Sequence, residues 1–409
     1  GYSGGTYYDL DMCVRRSELA NIFYRTGLPE KYPDIIPSDI SSNLWYYESA
    51  CSVLANNIMS VDENGNFNPS GYAYTSGINA AALKQCYVPT TADMVSLDLA
   101  KGSIVIKENV KGVTVFQQGE NIIRTENATA IIRQSTAAAT ENTITVESGH
   151  IALTIAGLNI LSESTPIQID EEAELTLNLV GTNILKTNKS SGIQIDEKAM
   201  LTIQGNGGSK ITCDGDLAGI NVKGSFIINS GTVTAIGRGL SGIALLNNFS
   251  KNDVKVAIHG GIVTASGHSG IGFDDYNTHG TLVIDGGIVK AKGIYNSGIN
   301  MNGSDPTDVN SLIIKNADVT VVSHYPDVGI RGTGCKVYIE NSKVSITAYL
   351  YAVGGYYDYN EDACSEITIL DSEITSSSTE EDTPIYNCQE KITYSSVAPQ
   401  ASLAGNNAL

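Results

Sequence analysis

Three stretches of the sequence decide the fold, because they repeat one pattern along the chain. Residues 256–265 read VAIHGGIVTA, residues 282–291 read LVIDGGIVKA, and residues 312–321 read LIIKNADVTV. Each stretch contains two short runs in which apolar residues alternate with other residues, joined by a turn containing Gly or Asn. A period of two is typical of β-strands and not of helices. The stretches therefore predict pairs of strands joined by tight corners.

The first strand of this pattern returns along most of the chain. Its nine copies begin 22 to 30 residues apart, at Leu153, Leu175, Leu201, Phe226, Val256, Leu282, Leu312, Val337 and Ile367. A third strand, opening with Gly-Ile, follows the second strand in most copies, as at Gly270-Ile271. Repeats of this length indicate a solenoid. The sequence predicts an all-β right-handed parallel β-helix of about ten coils, with three strands per coil and a small α-helical module before it.

The corner between the first and second strands carries a second signal. The second turn residue in six consecutive copies is Ser230, Gly260, Gly286, Asn316, Asn341 or Asp371. Gly, Asn and Asp tolerate a left-handed backbone better than other residues. We therefore predict a left-handed residue at this position in each coil. The same alignment predicts that Ile228, Ile258, Ile284 and Ile314 stack in one buried ladder.

Composition excludes some classes of function. Asp and Glu outnumber Lys and Arg by 44 to 25, which gives a formal charge of -19. A nucleic-acid partner would require a basic face, so we expect none. No run approaches the 18 apolar residues of a membrane span, so none is expected. The seven cysteines contain no CxxC motif and are predicted to be buried apolar residues.

The first 88 residues follow a helical pattern. Residues 16–24 and 45–58 place apolar side chains at helical spacing, and Gly65-Asn66-Phe67-Asn68-Pro69 forms a turn-rich loop. We predict a helical module at 1–88, the β-helix at 89–394 and a flexible tail at 395–409. Irregular first coils are expected within 89–150, with Val113-Thr114-Val115 as one of their strands.

Two family resemblances suggest a location. Arg15-Arg16-Ser17-Glu18, Trp45-Tyr46 and the loop at 65–69 resemble one surface-layer homology repeat. The later coils resemble β-helical, carbohydrate-binding-domain-like surface proteins of Gram-positive anaerobes, which share the pectin-lyase-like fold class. The resemblance implies an extracellular, cell-surface protein of a Gram-positive bacterium. It also implies a polysaccharide partner, a cell-wall or plant glycan, which some members are thought to bind with calcium and without cleavage.

The predicted ligand site lies on the long loops that follow the third strands. These loops carry two groups of side chains: the carboxylates Asp274, Asp275, Asp305 and Asp308, and the rings Tyr276, Tyr356, Tyr357 and Tyr359. Calcium prefers six to eight oxygen ligands, which such carboxylates supply. Tyrosine rings offer flat faces to sugars. We predict calcium at the four Asp residues and sugar contact at the four Tyr residues, and we assign no catalytic residue.

Two other functions stay open at this point. A polysaccharide lyase of this fold class needs a calcium cluster and a basic proton acceptor, for which Arg331 is a candidate. A glycosidase needs two carboxylates at a defined separation, and the adjacent Asp274 and Asp275 would point to opposite faces of a strand. A structural spacer of the cell surface requires no site at all. The predicted function is non-catalytic carbohydrate binding or adhesion.

Overall fold

The computed structural model describes most of the chain outside its termini and several loops. The described residues are 14–25, 32–74, 78–79, 94–108, 113–125, 128–246, 253–274, 279–301, 310–324, 328–332, 335–354, 366–378, 385–386 and 392–394. The chain divides into two compact units, Gly1–Met94 and Val95–Leu409.

The first unit is helical where it is described. Its two α-helices are Arg16–Arg25 and Tyr47–Ala55. One side of each helix is apolar, and a small core forms around the buried Ala20, Ala50, Val53, Ile58 and Phe67. The sequence pattern predicted one buried apolar stripe per helix. Ala50 and Val53 of the second helix follow this prediction, but Ile22, predicted on the apolar side of the first helix, is 49% exposed.

The second unit is a parallel β-solenoid built from three sheets. The first sheet contains twelve parallel strands among the described residues. These strands are Val95–Asp98, Thr129–Arg133, His150–Ala156, Glu174–Val180, Met200–Gly205, Ser225–Ile228, Val254–Ile258, Gly280–Asp285, Ser311–Lys315, Lys336–Glu340, Glu366–Leu370 and Ile392–Tyr394.

The second sheet contains nine parallel strands in the same part of the chain. They are Asn159–Ser162, Thr182–Thr187, Lys210–Gly215, Thr232–Gly237, Ile262–Gly267, Ile288–Gly293, Asp318–Val322, Lys343–Ala348 and Glu373–Ser378. Because each strand belongs to a different coil, they define nine complete coils, close to the predicted ten. We number these coils 1 to 9, coil 1 beginning with His150–Ala156.

The third sheet contains thirteen described strands, of which eleven are parallel. The parallel strands are Ile104–Glu108, Ile144–Val146, Ile167–Ile169, Ile193–Ile195, Ile220–Val222, Ile243–Leu245, Ile271–Phe273, Ile299–Asn300, Ile330–Arg331, Val353–Gly354 and Ile385–Tyr386. The other two, Thr114–Gln118 and Asn121–Thr125, pair antiparallel at the edge of the sheet.

This antiparallel pair corrects one prediction. We expected Val113-Thr114-Val115 to be a strand of an irregular coil, but the strand at 114–118 turns back on Ile104–Glu108. The next strand turns back again at Gly119, where φ is 59°. A parallel sheet that ended at 104–108 would leave a row of unpaired backbone groups, and the hairpin covers that row.

The interior of the solenoid confirms the predicted ladder. Ile228 aligns with Ile258, Ile258 with Ile284, and Ile284 with Ile314, and all four are buried. Residues that alternate with them face outward and are partly exposed. Period-two alternation therefore sets the register, since a shift by one residue would turn the ladder to the solvent.

The corners between the first and second strands confirm the left-handed prediction in part. Asn316, Asn341 and Asp371 have φ of 50°, 46° and 46°, and Gly286 has φ of 111°. In coils 4 and 5 the prediction was one residue early. There the left-handed residues are Gly231 and Gly261, with φ of 93° and 81°, and not Ser230 or Gly260.

Candidate functional site

The corner between the second and third strands forms a regular row across coils 3 to 6. Leu217, Leu240, His268 and Tyr295 occupy this corner in four successive coils. Leu240 donates its backbone N–H to the carbonyl of Leu217 at 2.9 Å, and His268 donates to that of Leu240 at 2.9 Å. In coil 6, Asn296 is in register with His268 and donates to its carbonyl at 2.9 Å, while Tyr295, one residue earlier, donates to the same oxygen at 3.3 Å. Leu217 donates in turn to Ser190 at 3.0 Å. We call these four residues the corner row.

Several side chains of this corner are exposed although they are apolar. Tyr295 is 67% exposed, Leu217 44%, and Ile294, which precedes Tyr295, 41%. Single exposed apolar residues are common on protein surfaces. Leu217 lies on coil 3, and Ile294 and Tyr295 lie on coil 6. Backbone hydrogen bonds through Leu240 and His268 connect these corners and fix their relative positions.

At the aromatic end of the corner row, the side chains of Tyr295, His268 and Asp274 lie next to one another. The rings of Tyr295 and His268 lie 6.1 Å apart between centroids and are tilted by 40°. Nδ1 of His268, whose side chain is 45% exposed, lies 4.0 Å from Oδ1 of Asp274. The Asp274 carboxylate accepts a hydrogen bond from the backbone N–H of Ser241 at 2.8 Å and one from its hydroxyl at 2.9 Å. A buried, hydrogen-bonded carboxylate thus lies directly behind the exposed rings.

The charged groups beside the row are paired. Asp214, which is nearly buried, lies 2.7 Å from Nη2 of Arg238 and 3.7 Å from Nζ of Lys186. Lys189, one coil from Leu217, lies 2.7 Å from Glu163. Because Lys186, Lys189 and Arg238 each lie within 4 Å of a carboxylate, their fields are largely cancelled at this edge despite the strongly acidic chain.

Only one predicted ligand residue belongs to the described part of the chain. Asp275, Asp305, Asp308, Tyr276, Tyr356, Tyr357 and Tyr359 lie outside the described residues, so their roles stay predictions. Asp274 is described, and its side chain is only 2% exposed. It faces Ser241 and His268 at the corner between the second and third strands, so it has little access to an ion in the solvent.

The predicted calcium ligands lie mostly outside the described residues. Among the described residues, no group of three or more His, Cys, Asp or Glu side chains is arranged to hold a metal ion. Carboxyl groups outside this part of the chain include three of the four that we predicted. Calcium binding therefore remains a prediction about Asp275, Asp305 and Asp308 together with Asp274.

The outer face of the third sheet carries a separate polar network. Gln168 and Gln194 donate to the two oxygens of Asp196 at 2.8 and 3.0 Å, and Asn221 donates to Gln194 at 2.8 Å. Asp170 lies at the same edge of the sheet. Burial raises the pKa of the Asp170 carboxyl, and the neighbouring Asp196 and Glu147 raise it further against a hydrogen bond from Gln168.

The motif residues of the first unit form a compact set of contacts. Nε of Arg16 donates to the carbonyl of Phe67 at 2.7 Å, and its guanidinium lies 5.0 Å from the centre of the Phe67 ring. Asp39 accepts hydrogen bonds from the backbone N–H groups of Phe67 and Asn68 at 2.8 and 2.6 Å. The loop at 65–69 is therefore tied to the start of the first helix. A stabilising role explains these contacts.

Sequence reasoning missed Tyr295. We searched the long loops after the third strands, whereas Tyr295 lies in the corner before a third strand. A usable signal was present, because the residues before each Gly-Ile pair can be aligned across coils. That alignment places Leu217, Leu240 and Tyr295 close to one another in register.

Comparison with known proteins leaves the fold as the main classification. The second unit is a parallel β-solenoid, an architecture consistent with the pectin-lyase-like fold class. The chain matches no protein-family model, no curated protein and no solved structure. Neither family resemblance drawn from the sequence gains support from these comparisons. A fold of this kind carries many functions, so function must be argued from the site.

The described helices were also compared with the dimensions of a lipid bilayer. None of them is both long enough and apolar enough to span a membrane.

Proposed function

We propose that this chain is a non-catalytic, extracellular cell-surface protein that binds polysaccharide. The exposed Tyr295 ring, held beside His268 on a rigid corner, is the observation that supports this proposal. Aromatic rings with one open face and nearby polar groups suit amphipathic ligands such as sugars. Loops and corners on a rigid scaffold are where binding groups are usually placed.

Binding is favoured over catalysis by the state of the carboxylates beside the row. Asp214 is paired with Arg238 and Lys186, and Asp274 is hydrogen-bonded to Ser241. General acid and base groups need access to the proton that they transfer. These two carboxylates are instead committed to holding neighbouring coils.

Attachment to a cell wall is part of the same proposal. It is supported by the resemblance of Arg15–Glu18, Trp45-Tyr46 and the loop at 65–69 to one surface-layer homology repeat. Arg16 of the first motif donates to Phe67 of the loop at 65–69, and Asp39 accepts from the same residue, so these two motifs are in direct contact. Sedimentation of the full chain with purified Gram-positive cell walls tests this part separately.

A glycan array probed with the full chain tests polysaccharide binding. We expect binding to at least one cell-wall or plant glycan, and isothermal titration with and without calcium tests the predicted metal site. An Asp305→Asn, Asp308→Asn double variant should lose any calcium signal. Release of reducing ends or unsaturated products from plant polymers would instead support an enzyme. An array without any signal would leave the structural spacer as the better description.

A further inference from the structure

We propose that the corner row binds one extended, neutral, β-1,4-linked polysaccharide chain, which lies along the solenoid axis with about one sugar residue per coil. This inference rests on the proposed function and specifies its ligand class and binding mode. It concerns a different edge from the long loops that follow the third strands.

The spacing of the corner row matches that of an extended sugar chain. Neighbouring parallel strands are about 4.8 Å apart, so the four coils from Leu217 to Tyr295 span roughly 14 Å. This spacing is close to the length of one pyranose unit in an extended β-1,4-linked chain. A ligand whose repeat matches the coil repeat can place one unit beside each coil.

The corner row combines apolar and polar side chains. Leu217, Leu240 and Tyr295 present apolar surface, which suits the C–H faces of sugar rings. His268 and Arg238 add polar groups beside these apolar contacts: the His268 ring lies next to that of Tyr295, and the Arg238 guanidinium lies 2.7 Å from Asp214. This mixture of flat apolar contact and few polar groups is typical of small-ligand and sugar sites.

The charged side chains beside the corner row bear on the charge of its ligand. The described charged residues beside the row are four cations, Lys186, Lys189, Arg238 and Lys292, and four anions, Glu163, Asp214, Asp216 and Asp274. An acidic polymer would gain nothing from a balanced edge on a chain of net charge -19. The row therefore favours a neutral ligand.

Hydrogen bonds between coils hold the backbone of the corner row in place. Every residue of the row donates its backbone N–H to the neighbouring coil, and Asp274 fixes the corner of Ser241 behind His268. Groups that are already ordered lose less conformational entropy when a ligand binds. The row is thus preorganised for an elongated ligand.

Titration of the full chain with oligosaccharides of increasing length tests this inference. Suitable probes are cello-, manno- and xylo-oligosaccharides of two to six units, with malto-oligosaccharides of the same lengths as the curved, α-linked control. We expect the affinity for at least one β-1,4 series to rise up to about four units and then level off. Malto-oligosaccharides should bind at least tenfold more weakly.

Two variants at opposite ends of the row locate the ligand. Tyr295→Ala should weaken binding of the hexamer at least tenfold, and Leu217→Ala should remove the gain between the third and fourth units. Tyr74→Ala is the matched control, because Tyr74 is equally exposed but belongs to the first unit. It should leave the affinity unchanged. Unfolding curves confirm that each variant is folded.

The outcomes separate this inference from the proposed function. If the array gives glycan binding but affinity does not depend on chain length, or if Tyr295→Ala and Leu217→Ala bind normally, the axial row is wrong and polysaccharide binding stands. If the array binds only acidic or α-linked glycans, the ligand class proposed here is wrong. If no glycan binds, both proposals fail together.

Discussion

The side chain of Asn341 donates a hydrogen bond from Nδ2 to Oδ1 of Asn316, 2.8 Å away in the corner of the preceding coil. Asn316 repeats the contact one coil earlier, where it donates to Asp285 at 2.8 Å. Both asparagines have a left-handed backbone, with φ of 46° and 50°. One residue type therefore satisfies the corner in two ways, because it tolerates the backbone and joins the coils.

Substitutions at Asn341 separate these two contributions. Asn341→Ala should destabilise the solenoid by about 2–3 kcal/mol, since it loses the hydrogen bond and keeps a Cβ without the polar side chain that makes the left-handed backbone tolerable for Asn. Asn341→Gly loses the hydrogen bond alone and should cost about 1 kcal/mol. Urea unfolding followed by far-ultraviolet circular dichroism measures both. A glycine variant as unstable as the alanine variant would contradict this account of the corner.

The buried isoleucine ladder gives a second prediction. Ile258→Ala should lower the free energy of unfolding by about 2–5 kcal/mol, because it leaves a cavity between Ile228 and Ile284. The control is Ile262→Ala in the same coil, where the side chain is 43% exposed. It should cost less than about 1 kcal/mol. Thermal unfolding compares the two, and equal losses would show that the register is misassigned.

Arg16 gives a prediction for the first unit. Arg16→Ala should destabilise this unit by about 2–3 kcal/mol, because the guanidinium donates to the Phe67 carbonyl and packs on its ring. Arg15→Ala is the control, since the hydrogen bond of Arg15 to Glu18 uses the backbone N–H. Fluorescence of Trp45, the one tryptophan, reports on this unit. Similar midpoints for both variants would rule out the proposed role of Arg16.

The raised pKa of Asp170 predicts a pH dependence of stability. Burial raises the pKa in the folded state above its unfolded value, so ionisation costs stability as the pH rises through the folded pKa. Asp170→Asn removes this cost. The variant should match the wild type below about pH 4, the range of the unfolded carboxyl, and should be the more stable one at pH 7.

Urea midpoints between pH 3.5 and pH 7 test this sign, with Asp216→Asn as an exposed carboxylate control. Asp216 lies on an exposed corner, so its substitution controls for the loss of one negative charge from a chain of net charge -19. A wild-type protein that is more stable than Asp170→Asn at pH 7 would show that hydrogen bonding to the carboxylate outweighs its burial.

The repeated strands and corners could be predicted because they follow from local rules. Period-two alternation identifies the buried ladder through Ile258, and residue type identifies Asn316 and Asn341 as left-handed. In coil 5 two adjacent residues, Gly260 and Gly261, satisfy the same rule, whereas in coil 4 the rule favours Gly231 over Ser230, the residue that the alignment selected. The choice between them depends on the backbone of the neighbouring coil, which local pattern does not contain.

The surroundings of the candidate site could not be predicted in the same way. The sequence identifies Asp274 as a carboxylate after a third strand, but its direction depends on Ser241, which is 33 residues away. Exposure of Tyr295 likewise depends on the corner of the previous coil. Such relations join side chains of different coils, and the local pattern of one coil does not contain them.

Coil 6 is the point at which the position of the left-handed corner residue shifts by one. Coils 4 and 5 take their left-handed residue at Gly231 and Gly261, and coils 7 to 9 take it one position earlier. In coil 6 both Gly286 and Gly287 are left-handed, so this coil matches the corner of coil 5 and also that of coil 7. A rod lengthened by duplicating coil 7 or coil 8 would keep its corners in phase. A rod shortened by removing coil 6 would bring the Gly261 corner against that of Asn316, with the left-handed residues one position out of phase.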